Sequence, residues 1–181
     1  MALRPLRRED LEVLAGWASD DGVARFMGAR GRDRAGLEEW YLQRAGDPRC
    51  RVMAILDGNG AVIGDIELEQ IDWRNGRGEL RVCIGEAARR HCGLGTDAVR
   101  TLLQHTFASL GLREVYLRVH PENAAAIRCY EKCGFRKRGF LRAGKRKGSG
   151  VDDLLLMSVT RGRFLRLGRR APAKDARPRG A

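Results

Sequence analysis

At 181 residues, 43% of them hydrophobic and 32% charged, the chain can bury one sizeable core without help from disulfides or metals. No apolar run approaches membrane-spanning length, and the opening Met1-Ala2-Leu3-Arg4-Pro5-Leu6 lacks a signal peptide's hydrophobic stretch. The expectation is one cytoplasmic domain with no membrane partner.

The pattern predicts a strand over 2–7, a helix over about 9–18, an irregular stretch and a helix over about 33–45. Strands over 50–57 and 61–71 flank the turn Asp57-Gly58-Asn59-Gly60. Along the second of these, Asp65, Glu67 and Glu69 alternate and should share one face, with Glu79 on the next strand and Asp152-Asp153 near the last. That face is a candidate acidic wall for a cationic substrate, or a solvated surface paired with arginines such as Arg81.

A strand over 78–85 follows. A two-residue turn at Asn75-Gly76 would pair position 68 with 83, putting Leu68 on the face of Arg81 and Cys83 while Leu80, Val82 and Ile84 share a face with Glu67 and Glu69. A longer loop or a bulge would remove that mismatch.

Next, Arg90-His91-Cys92-Gly93-Leu94-Gly95 reads as a phosphate cradle. Gly93 and Gly95 permit a sharp turn and a close approach of backbone to ligand, and the amides after them open a helix whose N-terminus favours an anion. Leu94, Ala98, Leu102, Leu103, Phe107 and Leu110 recur at helical spacing, predicting a helix over 94–110 that stops at Gly111. Arg89, Arg90 and His91 add donors beside the loop.

Val115, Leu117 and Val119 alternate with polar residues and predict a strand over 113–120. Asn123 can cap a helix over 123–133, with Gly134 as its stop, and this helix sets Ile127 and Tyr130 on one face. Tyr130 is the best candidate proton donor in the sequence. Two closing strands near 135–142 and 151–160 complete the pattern.

Together, the R-x-x-G-x-G turn and the later Asn123-x-x-Ala126-x-x-x-Tyr130-x-x-x-Gly134-Phe135 segment resemble the signature of the GNAT family of acetyl-CoA-dependent N-acetyltransferases. The resemblance covers about residues 2–160 and is most specific over 79–135. It implies a three-layer α/β fold, with a mixed, largely antiparallel sheet and one splayed strand pair, and acetyl-CoA as co-substrate with no metal. In this family the strand before the phosphate loop is bulged and splays to admit pantetheine, which implicates Val82, Cys83 and Ile84. The implied cofactor contacts continue through Arg89, Arg90, His91, Cys92, Gly93, Leu94, Gly95 and Thr96 to Asn123, Ala126 and Tyr130.

In the chemistry so implied, Tyr130 protonates the departing thiolate, Glu67 and Glu79 are candidates for the base, acting through water, and Asp65, Glu67 and Asp153 face the substrate. Arg118 stands where some protein N-terminal acetyltransferases of this fold carry a glutamate, so the chain looks unlike that subgroup. The 126–132 segment is similar to aminoglycoside acetyltransferases, and the opening residues and the 139–157 stretch to polyamine and ribosomal-protein acetylating relatives. The expected substrate is a small cationic amine, aminoglycoside or polyamine-like, with the N-terminal amine of a ribosomal or other protein as the alternative. A homodimer is also compatible. An RNA-associated module and a non-catalytic CoA sensor are the readings from other classes.

Five cysteines, at 50, 83, 92, 129 and 133, contain no paired C-x-x-C and speak against structural zinc. The formal charge of +12 is uneven: residues 161–181 hold eight Arg or Lys against Asp175 alone, leaving +5 for the rest. The division expected is therefore an acetyltransferase domain over 1–160 and a basic, flexible tail over 161–181. Nucleic acid could engage only that tail; with aromatic interleaving absent, a solvated extension is the preferred reading.

Overall fold

The structure is a computed structural model and describes residues 1–17, 20, 22–23, 34–142 and 153–168. Its frame is a seven-stranded sheet in the order β1-β2-β3-β4-β5-β7-β6. The strands are β1 (Ala2–Pro5), β2 (Arg51–Leu56), β3 (Val62–Asp72), β4 (Arg77–Ile84), β5 (Glu114–Val119), β6 (Arg136–Leu141) and β7 (Leu154–Thr160). All neighbours run antiparallel except β4 and β5. A parallel pair needs a long crossover, and α3 (Leu94–Ala108) supplies it.

The β3–β4 hairpin resolves the mismatch seen in the sequence. Leu68 lies opposite Leu80, Glu67 opposite Arg81 and Glu69 opposite Glu79, three residues out of the register that an Asn75-Gly76 turn would impose. A four-residue loop over 73–76 replaces the tight turn, held by Asp72, whose carboxylate accepts from Asn75 N at 3.0 Å and Asn75 Nδ2 at 2.6 Å. Between Glu69 and Asp72 the strand carries an extra residue, with Gln70 at φ 51°. One register shift therefore lies on β3, and none falls within the Gly64–Glu69 to Glu79–Ile84 pairing; just past the end of β4, Gly85 N and Glu86 N both donate to Ile63 O, at 3.0 and 3.2 Å. The effect of the shift on β3 is to sort the faces: Ile66, Leu68, Leu80, Val82 and Ile84 on one side, and Asp65, Glu67, Glu69, Glu79, Arg81 and Cys83 on the other.

The apolar face is covered by α3, whose Ala98, Val99, Leu102, Leu103 and Phe107 form a buried stripe against Ile66, Leu68, Leu80 and Leu117. Each such side chain contributes about 1.5–3 kcal/mol on leaving water. Beside α3 lies α4 (Ala124–Lys132), linked to it by Arg100 Nη2, which donates to Lys132 O at 3.2 Å.

The second face is covered by α1 (Leu11–Gly16) and α2 (Arg34–Ala45), where Leu11, Leu14, Leu37 and Trp40 pack on Leu6 and Ala54. Arg44, near the end of α2, donates from Nε to Glu67 Oε2 at 3.0 Å and from Nη2 to Glu69 Oε2 at 3.3 Å, and stacks 5.3 Å over Trp40. Helices thus flank the sheet on both sides, as the three-layer expectation requires.

The segment expected to be a flexible tail from 161 opens instead with a helix, α5 (Arg161–Gly168). Phe164 packs on Phe107 with ring centroids 5.5 Å apart, Arg163 Nε donates to Gly134 O at 2.7 Å, and Arg161 N to Arg113 O at 2.9 Å. Residues 169–181 lie outside the described residues, as do Asp152 and most of the irregular stretch over 18–33.

Two stability measurements follow. Phe164→Ala lowers the unfolding free energy in urea by about 2 kcal/mol, below the usual 3–5 for a fully buried Phe because this ring is only partly covered. Arg44→Met lowers it by about 2–3 kcal/mol by stripping a partner from a buried carboxylate, and adding Glu67→Gln recovers part of the loss; no change in either variant would show that α5 or the Arg44 pair does not hold its helix down.

Candidate active site

After Gly78↔Val115 and Glu79↔Tyr116 the ladder between β4 and β5 ends, although β4 continues to Ile84 and β5 to Val119. The strands therefore fork. Across the opening, Arg118 of β5 donates from Nε and Nη2 to both carboxylate oxygens of Glu79 on β4, at 2.7 and 2.8 Å. The paired Glu79 lifts the Arg118 guanidinium further above its usual value, against the opposing effect of burial.

At the wide end of the fork lies a cavity of about 530 Å³. Val82, Cys83 and Ile84 of β4 line one wall, and Arg89, Arg90, His91, Gly93, Gly95 and Thr96 line the loop and first turn of α3. Asn123, Ala126, Cys129 and Tyr130 of α4 close it, joined by Gly22, Val23, Ala125, Arg128 and Lys132, which the sequence reading did not select. Their signal was weak: Ala125, Arg128 and Lys132 lie inside the motif but at its variable positions, and Val23 has no local pattern around it.

The loop before α3 is built from unusual backbone. His91 has φ 62° and Gly93, the residue preceding α3, φ 85°. Left-handed residues of this kind turn successive N–H groups inward to form a concave anion seat, and α3 adds its N-terminal dipole. A phosphate-bearing ligand fits this arrangement.

Arg90 lines the cavity and also braces its loop. Its Nε donates to Ile84 O at 3.0 Å, its Nη2 to Gly85 O at 2.7 Å, and its Nη1 pairs with Asp20 at 3.0 Å, so the guanidinium braces the loop against the end of β4. Arg89 pairs with Asp57 at 2.9 Å. A Cβ on Gly85 would stand 1.9 Å from the Trp17 ring, so that ring lies directly against the backbone where β4 ends. Cys92 is exposed, and Leu94 packs against the core; neither lines the cavity.

Helix α4 is set by its cap. Asn123 Oδ1 accepts from Ala126 N at 3.0 Å, and Gly134, at φ 96°, ends the helix. Ile127 and Tyr130 are buried on one face, with the Tyr130 ring 5.7 Å from that of Phe135. Tyr130 is only 7% exposed yet lines the cavity, and burial, reinforced by the nearby thiols of Cys129, Cys133 and Cys83, pushes its phenol well above the usual range. It keeps its proton at neutral pH.

The acidic residues fall elsewhere. Asp65, Glu67, Glu79 and Asp153 are absent from the cavity lining. Glu67 is 0% exposed beneath α2 with Arg44 on it, Asp65 is buried on the same face, and Asp153 is exposed before β7. Glu79 lies at the apex of the fork, gripped by Arg118. Helix burial on the α2 side and ion pairing, rather than an open acidic wall, organise these groups.

Comparison with known proteins agrees with this geometry. The profile of the Acetyltransferase (GNAT) domain family matches residues 1–136. Spermidine N(1)-acetyltransferase of Escherichia coli K12 is 30% identical over 140 residues, covering 77% of this chain and 74% of that protein. An N-acetyltransferase of Bacillus licheniformis known as p20 is 28% identical over 166 residues, covering 88% and 92%. The crystal structure of spermidine N-acetyltransferase from Vibrio cholerae in complex with CoA and spermine superposes with a TM-score of 0.81 at 25% identity, over 91% of this chain and 97% of that one. Forked strands, an anion seat at the head of α3 and a family profile spanning three-quarters of the sequence converge: the chain belongs to the GNAT family and is an acetyl-CoA-dependent N-acetyltransferase.

Proposed function

We propose that the chain acetylates a primary amine of a polyamine-type substrate, with Tyr130 as the general acid. The observation that carries this reading is the presence, in one cavity, of the anion seat before α3 and the protonated phenol of Tyr130. The polyamine part draws support from the spermidine acetyltransferase of E. coli and the spermine-bound V. cholerae enzyme. Aminoglycosides and protein N-terminal amines present the same nucleophile and are the competing substrates.

In this reading the amides around Gly93, Gly95 and Thr96 hold the diphosphate, and Val82, Cys83 and Ile84 run beside the pantetheine arm. Asn123 and Ala126 flank that arm from α4. Acetyl-CoA supplies the reactive thioester when bound. A main-chain N–H of the forked β4 would stabilise the charge that develops on the thioester carbonyl oxygen. Tyr130, kept neutral by burial, donates from its hydroxyl to the sulfur as that sulfur leaves. Holding both reactants in one cleft supplies much of the acceleration.

The amine must shed a proton before it attacks. Of the two carboxylates suggested for this, Glu67 is sealed under α2 with Arg44 as its partner and has no path to the cavity. Glu79 is also buried, with Arg118 on both of its oxygens and outside the cavity lining, so although it stands where the strands part, neither carboxylate meets the amine directly and any proton passed to Glu79 would have to travel through water. Asp65 and Asp153 serve at most as distant field charges.

Tyr130→Phe is expected to lower kcat by about 10²–10⁴, or roughly 3–5 kcal/mol of barrier, with acetyl-CoA affinity by calorimetry nearly unchanged. Unaltered turnover would remove Tyr130 from the role. In a turnover screen of spermidine, spermine, an aminoglycoside and a peptide with a free N-terminus, the polyamines should lead in kcat/KM by about tenfold or more. A leading aminoglycoside or peptide would overturn the substrate assignment while leaving acetyl transfer in place.

A further inference from the structure

The helix that brings Tyr130 to the cavity, α4, ends in a turn tied to the last helix of the chain. Within the turn, Tyr130 O accepts from Cys133 N at 2.9 Å and from Phe135 N at 3.0 Å, and Gly134 N donates to Glu131 O at 3.0 Å. Both partners of each bond belong to one short stretch of chain, so these bonds travel with α4 and leave its rotation against the rest of the fold undetermined. Contacts from other elements must set that rotation.

Two arginines are among them. Arg100 of α3 donates from Nη2 to Lys132 O at 3.2 Å, and Arg163 of α5 donates from Nε to Gly134 O at 2.7 Å. The last carbonyls of a helix have no partner inside it, and a guanidinium meets them with a charge-assisted bond. Helix α5 also covers the bare Cα of Gly134, where a Cβ would stand 2.5 Å from Leu167 Cδ1. It is itself fastened, through Phe164 on Phe107 and Arg161 N on Arg113 O. A line of contacts therefore runs from α3 through α5 to Gly134, about one helical turn past Tyr130.

Ion pairing does not account for the place Arg163 takes. This half-buried side chain forms no salt bridge among the described residues, and burial, followed by the charges of Arg136, Arg166 and Arg138, lowers its guanidinium below the usual value. Set among like charges, it gains nothing from those neighbours. Its favourable polar contact is the Gly134 carbonyl.

We propose that Arg163 is a positioning residue for acetyl transfer: by gripping Gly134 O from α5, it fixes the rotation of α4 that presents the Tyr130 hydroxyl to the cavity. The proposal rests on the reading of Tyr130 as the general acid. A phenol oxygen stands far from the axis of its helix, so a small rotation of α4 sweeps it through a longer arc, and a misplacement of about 1 Å can cost about a hundredfold in rate. Arg100 and the buried Ile127 and Phe135 still hold α4 when Arg163 is lost, so the displacement is partial and a loss of about tenfold is expected.

The test compares the full chain with Arg163→Met, Tyr130→Phe and the double variant in steady-state turnover. Arg163→Met should lower kcat about tenfold and leave the KM for acetyl-CoA within about twofold, because the interaction lost is one that matters in the transition state. Arg163→Lys keeps a cation in reach of the carbonyl and should be only about threefold slow; should the methionine variant fail to fold, the lysine variant carries the same comparison. The double variant separates positioning from general damage. With the hydroxyl gone its placement no longer matters, so the pair should turn over within about twofold of Tyr130→Phe alone, whereas damage to the fold at large would multiply the two losses. Losses that multiply, or an unchanged kcat in Arg163→Met beside a slow Tyr130→Phe, would overturn the role of Arg163 and leave the acid in place. Full turnover by Tyr130→Phe would remove the acid assignment, and the positioning role with it.

Discussion

The parting of β4 and β5 is the constraint on which the rest of the molecule depends. Parallel strands that share a sheet ordinarily stay paired along their length, because a backbone group removed from its ladder must find another partner. Here the pairing ends at Glu79 and Tyr116. On one side, β4 stays anchored to β3 through Ile84; on the other, β5 stays anchored to β7 through Val119. Each arm of the fork is thus held from outside, and the opening persists in a protein whose core is otherwise close-packed. The Glu79–Arg118 pair runs from the last paired residue of β4 to the unpaired part of β5, tying the arms together where they begin to separate.

Burial explains why charge is arranged as it is. The sheet places three acidic side chains of β3 on the α2 side, where Ala54 and Val52 of β2 stand opposite Asp65 and Glu67. An ionised carboxylate there loses its hydration, so partners are brought to it: Arg44 to Glu67 and Glu69, Arg81 to Glu69. Such pairs add little net stability over apolar packing, but removing one member leaves a costly charge behind, so they fix position. Arg90, which lines the cavity, is held in the same way and also serves as a strut in the fold. Its three contacts join the end of β4, the loop and Asp20, so the anion seat is shaped by an arginine fixed at Nε, Nη1 and Nη2.

What could be read from the sequence was whatever depended on local spacing. The apolar stripe of α3, the Asn123 cap, the Gly134 stop and the glycine turn all follow from residues within a few positions of each other. The β3–β4 register did not, because the strong local signal of Asn75-Gly76 loses to the hydrogen bonds of Asp72 and to a bulge at Gln70 that sorts apolar from charged side chains. Helix α5 was hidden by its arginines: only Phe164 and the leucines beside it mark an inner face, and the surfaces that receive them, Phe107 and Gly134, are remote in sequence. The contact of Thr96 with Cys129 joins positions 33 residues apart and has no signature in either neighbourhood.

The phase of α4 shows how two local signals produce one global placement. A helix of nine residues has little stability alone, and its rotation about its axis is free unless both ends are tied. Asn123 fixes the first turn through Ala126 N, and Cys133 N and Phe135 N close the last turn on Tyr130 O at 2.9 and 3.0 Å. Between these clamps, residues three apart fall on one face, so that Ile127 and Tyr130 turn inward together while Arg128, Glu131 and Lys132 turn outward. Had the cap stood one residue later, the inward face would have rotated by about 100° and carried the phenol away from the fork. The side chain of Tyr130 meets the cleft because the helix that bears it is clocked at both ends by residues that take no part in the chemistry.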